Sequence, residues 1–444
     1  MWTNPARAMR LFSLGPDMNL ANPAAAPRSS NTSAVLTVGV LFFIFGFVTW
    51  LNGPLITFVK LAFDLDDINA FLVPMAFYLS YFFLALPASW MLKRTGMKKG
   101  MALGLFVMAV GALAFGQFAT MRIYPGALAG LFVIGAGLSL LQTAVNPYIS
   151  ILGPIESAAQ RIAVMGICNK TAGILAPIVI GALVLRGIGD LADRVAHADA
   201  ATKEALLGEF AGKVHVPYLI MAVLLAGLAV WILRSTLPEI EASEANAEPA
   251  SADRRRSIFH FAHLWLGVLC LFVYVGVEVM AGDAIGTYGQ GFNLPLDETK
   301  VFTAFTLFAM LLGYVVGLVT IPKLISQERY LACSAVLGVV LSGAAYLTHG
   351  YVSVACVAAL GFANAMMWPA IFPLAIRGLG RFTELGSAFL IMGIAGGAII
   401  PQVFAHLKAH FDFQAVFCAI MAPCYLYIFY YAVRGYAAGS RGRG

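Results

Sequence analysis

Glu278, in YVGVEVMAGDAIGTYGQ, and Lys170, in CNKTAGILAP, each stand inside a long apolar run. A full charge in such surroundings is costly, so it must titrate, pair or meet water in a cavity. Amides form a second set. Gln142 and Asn146, in LLQTAVNPY, are four residues apart and share one helical face, as do Asn364 and Trp368 in NAMMWP. Asn52, in WLNGPLITF, and Asn169, beside Lys170, complete the group. Amides both donate and accept, which suits several hydroxyls on one ligand. An indole beside them suits the apolar face of a pyranose ring. The competing readings are structural: a satisfied kink at Asn52, interhelical amide bonds at Gln142 and Asn146, and a fixed Lys170–Glu278 ion pair. Asp283 lies further along the same run and reads as hydrated near its outer end.

The elements that must position these groups are twelve apolar runs, near 34–59, 68–92, 99–120, 124–150, 160–185, 214–236, 261–290, 300–322, 330–348, 351–376, 385–407 and 413–434. Each is about the 20 residues that cross a bilayer as a helix. The chain of 444 residues is 60% hydrophobic and 11% charged, with mean hydropathy +0.84. A soluble domain carries about a quarter charged residues. Continuous apolar runs also exclude a barrel, which alternates apolar and polar positions. The fold class is therefore an all-α membrane protein. The six cysteines (168, 270, 333, 356, 418 and 424) show no metal spacing and no disulfide pattern. No metal site is assigned and no cofactor is expected beyond a coupling ion. No nucleophile–base pair or phosphate loop stands at a membrane face, which argues against an enzyme.

With both termini cytoplasmic, the inner side holds 19 Lys and Arg and the outer side 8, with Lys170 left inside a span. This positive-inside bias sets the orientation. It also accounts for the basic balance, so no nucleic-acid partner is expected. Residues 1–33 read as a disordered cytoplasmic tail rather than a cleaved leader. The polar segment 237–260 divides the spans into bundles at 34–236 and 261–436, followed by a tail at 437–444. The outer segment 186–213 reads as a long solvated loop with an amphipathic helix. The bundles repeat: QTAVNP (142–147) matches NAMMWP (364–369), and GILAP (173–177) matches GAIIP (397–401) at an offset of 222–224. Parallel six-helix repeats mark transporters whose halves rock about a central site.

The twelve-span plan, the basic loop LKRTGMKKG and the repeat resemble the major facilitator superfamily. LLQTAVNPYISILGP, CNKTAGILAPIVIGAL, YVGVEVMAGD, GFANAMMWPAIFPLAIRGLG and GSAFLIMGIAGGAIIPQ resemble the fucose symporter and glucose/galactose transporter family, over essentially residues 38–434. The resemblance implies two pseudo-symmetric six-helix bundles in a bacterial-type inner membrane, commonly a monomer. It implies cation-coupled import of a hexose-type sugar: glucose, galactose, mannose, fucose or N-acetylglucosamine. It points to Gln142, Asn146 and Asn169 as sugar contacts, and the residue reading adds Asn52, Asn364 and Trp368 to the set. The fucose symporters carry an aspartate in span one and a glutamate in span four, where this chain has Gly53 and Gln142. The glucose/galactose branch shares the glutamine. Lys170 departs from the small residue usual there, and the acidic residue usual in the basic loop is absent. Coupling then falls to Glu278, by H+ or Na+, with Lys170 its possible charge partner; Glu278 is expected at roughly the repeat-related position of Gly53. An uncoupled uniporter or a drug exporter of the same fold are the alternatives.

Overall fold

The computed structural model describes residues 28–151, 158–235, 237, 257–321 and 323–439. Among the described residues, twelve helices are long and apolar enough to cross a membrane. In lipid the backbone must satisfy itself, and a helix does so within each segment. Spans one to six are Ala34–Ala62, Asp67–Thr95, Met97–Thr120, Tyr124–Asn146, Gln160–Leu183 and Ala200–Arg234. Spans seven to twelve are Ala262–Gly282, Leu296–Thr320, Gln327–Leu347, Gly350–Ile376, Thr383–Lys408 and Phe413–Val433. The even number places both described ends on one side, here the terminal face; the other is the far face. The outward surface is apolar, with Phe106, Leu183, Val223 and Val319 exposed to lipid.

Within each half the spans pack on one another, spans one against five, three against four and six, seven against eleven, and eight and nine against ten. Spans three and four approach through glycines: a Cβ on Gly137 would lie 2.4 Å from the Gly104 carbonyl oxygen. Small residues are what allow such contact where lipid gives no hydrophobic drive. The halves meet along two seams, span two against eleven and span five against eight. The repeat offset exchanges these seams, as a two-fold pseudo-symmetry requires.

Spans one, seven and ten are each broken by non-helical residues, and each break has a local cause. Span one breaks at Trp50–Leu51, just before Gly53 and Pro54, whose ring has no N–H to give. The Asn52 amide donates to the Thr49 carbonyl across the break (3.1 Å). Span seven breaks at Asp283–Ala284, and a second helix runs Ile285–Gln290. The carbonyls left free there are taken by span eight: Thr306 donates to Ala281 (2.7 Å) and Thr303 to Gly282 (2.8 Å). Span ten breaks at Ala365–Met366, ahead of Pro369. Lower in that span Pro373 leaves the Pro369 carbonyl unpaired, and Gln327 donates to Pro369 (3.4 Å) and Ala370 (2.7 Å).

Several expectations change. The first helix begins at Arg28, because residues 28–33 extend it rather than belonging to the tail; residues 1–27 lie outside the described residues. So do 238–256 of the linker and 440–444 of the last tail. The segment 186–213 forms two packed helices, Ile188–Ala196 and Ala200–Gly212, where a single amphipathic helix in a solvated loop is expected. Phe210 stacks on Phe58 with centroids 5.3 Å apart, and Lys203 pairs with Asp64 at 2.6 Å.

Candidate functional site

Between the halves lies a cavity, about 720 Å³ of empty space when the open solvent at its mouth is counted. Spans one, two, four and five line one wall; spans seven, eight, ten and eleven line the other. Of the residues singled out in the sequence, Gln142, Asn146, Asn169, Lys170, Glu278 and Trp368 line it together. Asn52 and Asn364 do not. Asn52 is committed to the break in span one, and Asn364, fully buried, accepts from the Tyr425 hydroxyl (2.8 Å). In this conformation Asn52 fits its structural reading, and the Asn364 amide oxygen is spent on Tyr425.

The charged centre joins the halves. Lys170 of span five donates to Glu278 of span seven at 2.9 Å, with only 6% and 9% of the residues exposed. The ammonium also lies 4.3 Å above the Trp50 ring, whose electron-rich face favours a cation. Trp50 in turn donates its indole N–H to Asn169 (3.2 Å). Two glycines make room for that indole: a Cβ on Gly173 or on Gly282 would come within 2.5 Å of it. Glycine is the residue type that lets span five and span seven close on Trp50 from both sides. The ionisable pair predicted as an alternative is therefore present, and its carboxylate faces the cavity.

Gln142 and Asn146 of span four lie in the same wall as Lys170. Gln142 donates to the Tyr81 hydroxyl (3.0 Å), and Tyr81 stacks on Tyr78 at 6.5 Å. Trp368 lies over Phe372 in a stacked pair, 5.9 Å between centroids, with its other surface toward the cavity. Span four runs as one helix over Tyr124–Ile151, through position 147. The sequence reading left out the aromatic lining: Trp50, Tyr78, Tyr81, Tyr274 and Tyr314. A signal existed for two of them, since Tyr78 and Tyr81 are three apart and share a helical face.

Asp283 is not hydrated. It is 2% exposed, because the break in span seven turns it inward against span one and span two. Tyr78 donates to its Oδ2 (3.3 Å), and Oδ1 has no hydrogen-bond partner among the described residues.

The far face is tied across the halves. Lys408 pairs with Asp67, which also holds Lys60 at 2.6 Å. Gln402 donates to the Ile68 carbonyl (3.1 Å), Lys300 to the Leu185 carbonyl (3.0 Å), and the Gly189 N–H to Asp297 (3.1 Å). At the terminal face the described residues give one such tie, Lys93 to Glu384 at 3.1 Å.

This architecture matches a family model. Residues 38–401 fit the Major Facilitator Superfamily. The chain belongs to the major facilitator superfamily. Members of that superfamily are transporters and not enzymes. Among its curated relatives is the glucose/galactose transporter of Brucella abortus biovar 1 (strain 9-941), 32% identical over 423 residues, 93% of this chain and 97% of that protein. The L-fucose-proton symporter of Escherichia coli (strain K12) is 29% identical over 403 residues, covering 88% of this chain and 90% of the symporter. The crystal structure of FucP in the outward conformation superposes with a TM-score of 0.72 at 26% identity, covering 91% of this chain and 98% of that one. The D-xylose-proton symporter shares the fold, with a TM-score of 0.64 at 16% identity over 91% of this chain and 99% of that one.

Proposed function

We infer that this chain is a secondary active transporter that imports a hexose-type sugar with protons. The observation that carries the reading is the cavity between the halves, where Gln142, Asn146 and Asn169 face Trp368 across an aromatic lining. Amides offer paired donors and acceptors to ring hydroxyls, and the indole covers the apolar ring face. The names of the relatives, a glucose/galactose transporter and an L-fucose-proton symporter, agree in substrate class, and the second names the proton. Asn52 and Asn364 lie outside the cavity lining in the present conformation and become contacts only if their helices move.

In this reading the rocking units are residues 34–236 and 261–436, and a single chain suffices for transport. The terminal face is cytoplasmic, consistent with its excess of Lys and Arg, and the membrane is a bacterial inner one. The Lys170–Glu278 bridge spans the units at the cavity. A proton on Glu278 removes the attraction that holds them together there. Coupling follows if sugar and proton are both needed before the halves reorient. The proton is the ion named for the fucose symporter, so Na+ is an arm of the test and not part of the reading.

The test is uptake of labelled glucose, galactose, mannose, fucose and N-acetylglucosamine into proteoliposomes under an inward pH gradient, an inward Na+ gradient, or neither. Accumulation with the pH gradient alone is expected for at least one sugar. Accumulation that needs Na+, or equilibration without a gradient, would refute proton coupling. Failure to move any of them would refute the substrate class.

A further inference from the structure

The Lys170–Glu278 pair leaves a second buried carboxyl group unexplained. Asp283 sits five residues beyond Glu278, on the far-face side of the cavity, where span seven breaks. Its surroundings come from both halves. Span one brings Gly53, whose Cβ, if it had one, would lie 3.3 Å from the Asp283 Cα and 3.4 Å from Oδ1. Span two brings Tyr78, which donates to Oδ2. Span eight brings Thr303, whose hydroxyl is already given to the Gly282 carbonyl. The ionisable groups facing Asp283 are few. They are Tyr78 of span two, Glu278 on its own span and Lys170 of span five. Spans one and eight contribute no ionisable side chain at this contact. Lys170 is committed to Glu278 at 2.9 Å. Asp283 thus has one hydrogen bond of ordinary geometry, from Tyr78, with the Gly53 backbone N–H also directed at it, and no cation in contact.

We propose that Asp283 is a proton-binding site that acts as a latch, the halves closing over it on the far-face side only when its carboxyl group carries a proton. An ionised carboxylate placed here would be desolvated without a counter-ion, which is strongly unfavourable. A proton on Oδ1 makes the group neutral and lets Gly53 and Tyr78 seat against it. When the halves part on the far face, those two contacts leave with the other half, water reaches the carboxyl group, and it ionises. The proton is taken from, and returned to, water; no other group changes. Tyr78 belongs to both surroundings, its ring lining the cavity and its hydroxyl holding Oδ2. Cavity water that displaces the hydroxyl gives the proton an exit toward the terminal face. Gly53 is small because a Cβ there would lie 2.6 Å from the Thr303 hydroxyl oxygen, with Asp283 of the other half close behind.

This latch rests on the transport reading, but its closing experiment does not need a sugar. Spin labels on Ala196→Cys and Phe411→Cys, exposed far-face sites in opposite halves, report far-face separation in protein whose native cysteines are replaced. Between roughly pH 5 and pH 9, the range over which perturbed carboxyl groups titrate, the distances should move from a closed to an open population. In Asp283→Asn the closed population should persist throughout, and proton-driven accumulation should collapse to equilibrium while sugar exchange continues. A pH response in Asp283→Asn equal to that of the unaltered protein overturns the latch, even if sugar transport is intact. Should Asp283→Asn fail to fold, Glu278→Gln decides. A pH-dependent opening that survives in it supports Asp283; one that vanishes assigns the titration to Glu278 and overturns the proposal. A response that appears only with Na+ also overturns it, in favour of a metal-ion site. If the labels respond to pH as expected but no sugar is moved, the transport reading fails and the latch stands.

Discussion

Replacing Lys170 by Met removes the cation from a bridge that is almost wholly out of water. The two charges are 2.9 Å apart. At an effective dielectric of about 20, that separation gives a gross attraction of roughly 6 kcal/mol. Desolvating the two ions costs several kcal/mol each, so the intact pair is worth little net stability. Its loss is a different matter. Lys170→Met leaves Glu278 buried without its partner, a state that costs about 3–5 kcal/mol. Glu278→Gln strands Lys170 in the same way, although the Trp50 face returns about 0.5–2 kcal/mol of that through its cation–π contact. The double variant Lys170→Met, Glu278→Gln strands neither, and should fall within about 1–2 kcal/mol of the unaltered protein. Denaturation of the purified protein in detergent, followed by tryptophan fluorescence, gives the four stabilities of this cycle. A pattern in which each single variant is worse than the double is expected. Equal stabilities throughout, or additive losses, would refute a buried bridge. Uptake separates stability from function, since the double variant should be folded and bind sugar yet fail to concentrate it.

Three further outcomes follow from the geometry. Trp368→Ala removes the stacking surface and should raise KM for the transported sugar about 3–10-fold, the worth of about 0.5–1.5 kcal/mol in an aromatic contact, with little change in maximal uptake rate. Gly282→Ala drives a methyl group into the Trp50 indole; overpacking of this kind costs about 1–3 kcal/mol, and it should shift the tryptophan emission and abolish uptake together. Lys408→Gln cuts the tie to Asp67 across the far face and should favour the open far face, read as faster labelling of Ile68→Cys by a membrane-impermeant maleimide.

The spans were legible because each must satisfy its own backbone in lipid, so length and hydropathy suffice to find them. The bridge was legible for a related reason: a lysine in mid-span needs a partner, and Glu278 was the carboxyl group placed deepest in its span. Helical spacing also put Gln142 with Asn146 on one face, and both line the cavity. Spacing fixes a face but not what that face meets. Asn364 carries the same spacing to Trp368, yet its amide oxygen is taken by Tyr425 from span twelve. Asn52 is spent on the break beside it. The breaks themselves depend on groups distant in sequence, such as the hydroxyls of Thr303 and Thr306. Asp283 was misread for this reason. On an unbroken helix it would point to the far-face water, and the break turns it inward.

Those two threonine hydroxyls bear on how force travels through the molecule. A broken helix with bare carbonyls would be a loose joint, free to flex by itself. Here the joint in span seven is stitched to span eight, and span eight forms the seam with span five. Sliding along that seam is transmitted to the joint rather than absorbed by it. Glu278 lies just below the stitches and Asp283 just above, so a single displacement of span eight shifts both carboxyl groups in the same stroke. The second half thus acts at this place as a stiff lever with an acidic group on each side of its fulcrum.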